Sequence, residues 1–189
     1  MVSGIIAVVG TPGTGKKTVS RLLSTYLQIE YLDVNEVAIQ KGAVIGKDGE
    51  EYVVSISKLR RALLPMTKGE PMILSGHLLP SVLKRSEVEL VILLRCAPEA
   101  LEKRLVERRY SQDKIRENVA AEILGVVAAE ALKRFGVKKV SEHDTTNKSP
   151  VDTVTEVLDV VLGKSRLNTP KIDWLAEVAE KGLLQKYFP

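Results

Sequence analysis

The sequence predicts an α/β fold, a doubly wound sheet of five parallel strands with helices on both faces. Two observations predict it. Continuous apolar runs, such as residues 4–9 and 89–94, mark strands buried on both faces rather than strands with one wet face. Segments with helical apolar spacing alternate with those runs along the whole chain, the order of a parallel sheet built from strand–helix crossovers. At 189 residues the chain is long enough for one α/β domain with a real core, and short for two. Aromatic residues are 4% of the total, so that core has to come from Val, Leu, Ile and Ala.

Taken in order, residues 4–9 are the first strand. Val19, Leu22, Leu23, Tyr26 and Leu27 then recur at helical spacing. Residues 29–33 form a short second strand, after which Asp33 or Asn35 caps a helix through Val37 and Ala38. The polar, glycine-containing stretch 42–51 is expected to be a mobile loop, and 57–66 a helix with a basic face of Lys58, Arg60 and Arg61. A third strand, 71–74, ends at Ser75, Gly76 and His77; residues 89–94 are the fourth and strongest. Pro98 suits the first position of a helix reaching about Arg109. One longer helix is expected over 112–135, a fifth strand over 139–142 and a closing helix over 151–162. Beyond Gly163, Ile172, Trp174, Leu175, Val178 and Ala179 form one more amphipathic helix in a C-terminal extension, 164–189, expected to dock on the domain 1–163.

Chemistry enters at the turn after the first strand. The segment GIIAVVGTPGTGKKT sets Gly10, Gly15 and Lys16 at the spacing of a phosphate-binding P-loop. Glycines let successive backbone N–H groups point at one anion. The helix that begins there adds the partial positive charge of its N-terminus. The lysine bridges the outer phosphates and stabilises charge as the terminal phosphoryl group departs. Gly13, Thr14, Gly15, Lys16, Lys17 and Thr18 are therefore the expected phosphate contacts. One position departs from the motif: Lys17 stands where a hydroxyl would ligate Mg²⁺, and Thr18 comes a residue late. One residue is about 100° around a helix, so Thr18 does not take over that role.

Composition sets weaker bounds. The formal net charge of +4 favours phosphate-rich partners to a small degree. A single cysteine, Cys96, excludes an internal disulfide and fits a reducing compartment. No apolar run approaches the roughly 18 residues of a membrane span. The opening MVSGIIAVVG lacks a basic leader and runs into the glycine loop, so it is read as a strand and the protein as cytoplasmic.

With the loop and strand ends in place, the chain to about Gly163 resembles the adenylate kinase isoenzyme 6 family. The resemblance rests on GTPGTGKKT, YLDVNEVA (31–38), SGH (75–77), the run LVILLRCAPEALEKRLVERRYSQDKIRENVAAEIL (90–124) and DTTNKSP (144–150). It implies a small P-loop nucleoside monophosphate kinase fold, with a monophosphate-binding segment near 33–56 and a lid near 107–117. It implies ATP as phosphoryl donor and AMP or another nucleoside monophosphate as acceptor, with Mg²⁺ held mainly by phosphates and water. By the same resemblance, Arg108 is the lid arginine at the donor phosphates, Lys148 a nucleotide contact in the adenine loop, and His77 a functional histidine. His143 has no motif around it and reads as structural.

The departures cluster on the metal. Ser75 stands at the family's Asp position, and Lys17 replaces the loop hydroxyl. Arg109 occupies a lid position where glycine is usual, and no arginine follows Ile39 and Gln40, which leaves Arg60 or Arg61 to compensate. Two classes of function stay open. One is an adenylate kinase-like enzyme with additional ATPase activity. The other is a nucleotide-binding assembly factor for the small ribosomal subunit, with a ribosomal protein and pre-ribosomal RNA as partners. The 90–124 block argues against a shikimate- or gluconate-type kinase.

Overall fold

The apolar run at the start becomes strand β1 (Ile5–Val9), whose five residues are all buried. The computed structural model describes residues 3–49, 51–67 and 69–188. Around β1 lie β2 (Glu30–Asp33), β5 (Met72–Ser75), β6 (Val88–Arg95) and β7 (Val140–Asp144), in the parallel order β2-β5-β1-β6-β7. This is the five-stranded, doubly wound sheet that the apolar runs predict.

Helices α1 (Lys16–Leu27), α2 (Val34–Gln40), α3 (Ile56–Met66), α4 (Leu79–Val82), α5 (Pro98–Glu107), α6 (Gln112–Ile123), α7 (Val126–Phe135) and α8 (Pro150–Val161) cover it. Alternation along β1 sorts the core. Ile5, Ala7 and Val9 face a layer that includes Val37 of α2, Leu59 and Leu63 of α3 and Phe135 of α7. Ile6 and Val8 face Val19 and Leu23 of α1 and Val154 and Val157 of α8. Each buried Val, Leu, Ile or Phe side chain among these contributes about 1.5–3 kcal/mol, so both faces hold the sheet.

The helix expected from Val19, Leu22, Leu23, Tyr26 and Leu27 is α1, which buries the narrow stripe Val19, Ser20 and Leu23 and leaves Tyr26 59% exposed. Three sequence expectations are corrected. The stretch 42–51, of which residue 50 lies outside the described residues, is not a plain loop: it contributes β3 (Val44–Asp48), which pairs with β4 (Glu51–Val54) in an antiparallel hairpin. The alternation that would have revealed the hairpin is short and broken by Gly46 and Gly49. The helix expected over 112–135 is two helices. Gly125 caps α7 in the left-handed conformation (φ 63°), which an uninterrupted helix does not allow. The extension holds two short helices rather than one, α9 (Trp174–Glu180) and α10 (Leu184–Tyr187), and Trp174 and Val178 of α9 are buried. No helix among the described residues is long and apolar enough to cross a membrane.

Candidate active site

In the order β2-β5-β1-β6-β7 the chain runs from β1 toward one edge to reach β2, and from β5 past β1 toward the other edge to reach β6, so the connections diverge beside β1. The crevice this opens at the carboxyl edge is where ligands of parallel sheets bind. A cavity of about 810 Å³ lies there, lined by the 12–18 loop, Asp33, the turn Ser75 to Leu78, and Arg108, Arg109, Tyr110 and Lys114. Ala38 and Ile39 of α2 and Val44, Tyr52 and Val54 of the hairpin close its other end.

The loop's conformation needs its glycines. A Cβ on Gly10 (φ 150°) would lie 2.4 Å from the Leu94 carbonyl oxygen, and one on Gly13 (φ 95°) 2.5 Å from Leu101 Cδ1. Gly15, in the left-handed conformation, caps α1. Lys16 is folded back over the loop, with Nζ donating to the carbonyl oxygens of Gly10 (2.7 Å) and Thr11 (3.0 Å). Burial lowers its ammonium to about 8; the carboxylates of Glu122 and Asp33 oppose that shift, and Arg108 adds to it. Thr14 is turned inward: its N–H (3.2 Å) and its hydroxyl (2.9 Å) both donate to Thr11 O. Its expected role as a phosphate contact therefore requires that turn to open. Gly13, Gly15, Lys16, Lys17 and Thr18 do line the cavity.

Lys17 points to α2. Its ammonium donates to Glu36 and lies 3.6 Å from Asp33 Oδ2. The hydrogen bond raises the Lys17 pKa and lowers that of Glu36. Asp33 in turn caps α2, with Oδ1 accepting from the N–H of Asn35 (2.9 Å) and of Glu36 (3.4 Å). Asp33, not Asn35, is the cap. Ser75 is buried beside Asp33 in the β2–β5 register and shares a 2.9 Å hydrogen bond with the Tyr31 hydroxyl. The residues present do not fit a protein-held Mg²⁺. The loop position carries an ammonium, the strand position a neutral hydroxyl engaged with Tyr31, and the nearest carboxylate is paired with Lys17. Among the described residues no group of three or more His, Cys, Asp and Glu is placed to bind a metal.

Arg108 and Arg109 end α5. Tyr110 N–H donates to Leu105 O (3.2 Å) and Arg109 N–H to Val106 O (2.8 Å), the two bonds of a Schellman terminus. Arg109 holds its left-handed position at φ 60°, where glycine is at ease and an arginine is strained. His77 lines the cavity from the turn after β5. Lys148 does not line it: it pairs with Glu156 of α8 at 2.6 Å. The idea that Arg60 compensates for a missing acceptor arginine is corrected as well. Arg60 is held by Glu87 (2.6 Å) and the Val82 carbonyl oxygen (2.6 Å), and neither it nor Arg61 lines the cavity.

His143 is structural, buried with its ring bonded to Ser141 Oγ at 3.0 Å, and burial holds it neutral, down to about 4. Cys96 is buried with its thiol pushed up to about 11, the opposite of an activated nucleophile. Sequence reasoning missed Arg104, which ties α5 to the 144–150 loop through Thr145 Oγ1 (3.0 Å) and Thr146 O (3.1 Å). It also missed Glu122, which accepts the Thr11 hydroxyl from behind the loop. A glutamate between apolar neighbours on an otherwise amphipathic helix was the one available signal for the latter.

The domain family described as AAA domain matches residues 6–125. A protein named "Putative adenylate kinase" from Thermococcus gammatolerans is 39% identical over 171 residues, 90% of this chain and 92% of that one. A protein of the same name from Pyrococcus furiosus is also 39% identical over 171 residues, 90% of this chain and 91% of that one. Among solved structures, a shikimate kinase from Acinetobacter baumannii in complex with shikimate superposes with a TM-score of 0.61. It is 18% identical and covers 88% of this chain and 96% of its own length, a likeness of fold alone.

Proposed function

The chain belongs to the AAA domain family that matches it and to the adenylate kinase-like family of its archaeal relatives, and from that premise we propose that it is a nucleoside monophosphate kinase. Its reaction moves the terminal phosphoryl group of ATP to AMP. The observation that carries this reading is that one cavity joins two dissimilar ends. The loop, Lys16 and Arg108 form a cationic end, while Ala38, Ile39, Val44, Tyr52 and Val54 form an apolar end suited to a nucleoside.

In this reading an oxygen of the acceptor monophosphate attacks the γ-phosphorus in line. The bond from that phosphorus to the β–γ bridging oxygen breaks, and ADP leaves with the electron pair. Lys16 exchanges the carbonyl oxygens of Gly10 and Thr11 for phosphate oxygens, which sets its ammonium against a full negative charge and draws the loop amides onto the nucleotide. Arg108 supplies charge to the transferring group, Arg109 and Lys114 add to the field, and His77 faces the phosphates from the end of β5. The protein's contribution is positioning and electrostatics. Mg²⁺ arrives on the nucleotide as part of the substrate, through phosphates and water. Lys148 reaches the nucleotide only by leaving Glu156.

A second reading is a nucleotide-binding assembly factor of the small ribosomal subunit, with weak or no transfer. One observation favours it: Lys17 and Ser75 leave the phosphate end without a protein ligand for the metal. ADP formation from ATP with each nucleoside monophosphate, with and without Mg²⁺, separates the two. Acceptor-dependent ADP supports the kinase. Tight ATP binding with no acceptor-dependent product supports the assembly factor.

A further inference from the structure

Behind the phosphate loop, a buried carboxylate receives donors from both the loop and the extension. Glu122 on α6 and Arg95 at the end of β6 have side chains 2% and 3% exposed and meet at 2.7 Å. Glu122 Oε2 accepts the hydroxyl of Thr11, the residue that opens the loop, at 2.5 Å. Glu122 Oε1 accepts from Arg95 Nε, from Cys96 N–H (3.1 Å) and from Trp174 Nε1 of α9 (3.3 Å). Arg95 continues the network to Glu142 Oε1 (3.1 Å) and to the Ile172 carbonyl oxygen (3.3 Å). Glu142 Oε2 accepts the N–H groups of Lys171 (2.7 Å) and Ile172 (2.9 Å). Neither Glu122 nor Trp174 lines the active-site cavity.

A carboxylate removed from water is tolerated only while its donors are in place, and in a low-dielectric interior the loss of one donor is felt by the others. Thr11 and Trp174 share this one acceptor group from opposite sides. Thr11 also carries the carbonyl oxygen that holds both Lys16 and Thr14. A change in where Thr11 sits when phosphate displaces Lys16 therefore alters the hydrogen bonding offered to Trp174, and the reverse holds equally.

We propose that Glu122 and Trp174 are positioning residues that couple residues 171–174 to the phosphate loop, so that nucleotide binding and the docking of α9 stabilise each other. The proposal rests on the loop being the nucleotide site. Trp174 is the single tryptophan of the chain, so its emission reports on the indole directly.

The test uses the full chain, with ADP as probe, and measures binding by equilibrium dialysis and by Trp174 emission. The expected result is an emission change that saturates at the dialysis Kd and shrinks in Thr11→Val. Trp174→Phe, which keeps the ring and removes the N–H, is expected to weaken ADP about tenfold, as loss of a hydrogen bond to a charged group does. Thr11→Val is expected to do the same, and the double variant to lose clearly less than the product of the two. ADP binding seen by dialysis with no change in Trp174 emission overturns the coupling while leaving the nucleotide site intact. Trp174→Phe that lowers the melting temperature but leaves the ADP Kd unchanged also overturns it. Should Trp174→Phe fail to fold, the wild-type and Thr11→Val titrations still decide the matter. No ADP binding by dialysis overturns the nucleotide reading and this proposal together.

Discussion

The Lys17 ammonium donates to the Glu36 carboxylate, so the cation next to the loop lysine is held against helix α2. Both side chains are about half exposed (46% and 50%), and such a surface pair contributes about 1 kcal/mol or less. Lys17→Thr should therefore fold normally. Ser75→Asp places a carboxylate beside Asp33 in the strand register, with Lys17 nearby to neutralise it. The double variant Lys17→Thr with Ser75→Asp is expected to raise phosphoryl transfer about tenfold or more, since metal and charge contacts contribute several kcal/mol. Ser75→Asp alone should help less than its share of the pair. Steady-state rates with Mg²⁺ for the four proteins check this. An unimproved double variant of an already fast parent would make Lys17 a working substitute for the metal ligand.

The lowered pKa of Lys16 gives two opposite pH trends. With the folded value near 8 against an ordinary lysine value of 10.5, the unfolded chain binds more protons between those limits, so this group makes stability rise with pH across that window. Phosphate binding needs the charged amine, so ADP affinity should fall above pH 8 even as the ligand-free protein gains stability. Calorimetric Kd values from pH 7 to 9.5, beside melting curves at the same pH, check both signs. Affinity unchanged across that range would remove Lys16 from the phosphates.

Arg108→Ala should lower kcat more than it weakens ATP binding, because a contact to the transferring phosphoryl strengthens as charge moves. A raised KM with kcat unchanged contradicts that role.

Arg109 adopts φ 60° at a Schellman terminus, and a left-handed non-glycine residue costs about 1–2 kcal/mol. Arg109→Gly is thus expected to raise the melting temperature by about 2–4 °C, the shift of about 1 kcal/mol in a chain of this size. Turnover should be equal or higher. A loss of turnover with the stability gain would show that the Arg109 charge serves the reaction.

The sheet was legible because buried parallel strands are continuous apolar runs, as in β1 and β6. The loop was legible because phosphate binding constrains glycine, lysine and helix start at fixed spacing. The hairpin β3–β4 was not, since its four- and five-residue strands are mostly exposed and carry little alternation. Nor was the break at Gly125, because a lone glycine in a helical pattern reads equally well as a tolerated interior residue. The departure at Lys17 was visible in sequence, but its partners Glu36 and Asp33 are set by the approach of α2 to α1. Glu122 was hidden for the same kind of reason: its partners Thr11, Arg95 and Trp174 lie far apart along the chain.

The most direct test of the central claim is the product balance of ATP plus AMP, wild type against Lys16→Ala. Among the described residues Lys16 bonds to carbonyl oxygens of its own loop, so its removal should leave the fold intact by circular dichroism. The account predicts two ADP formed per ATP consumed in the wild type, dependent on AMP, and no such product from Lys16→Ala. ADP formation that ignores AMP, or that survives Lys16→Ala, would contradict it.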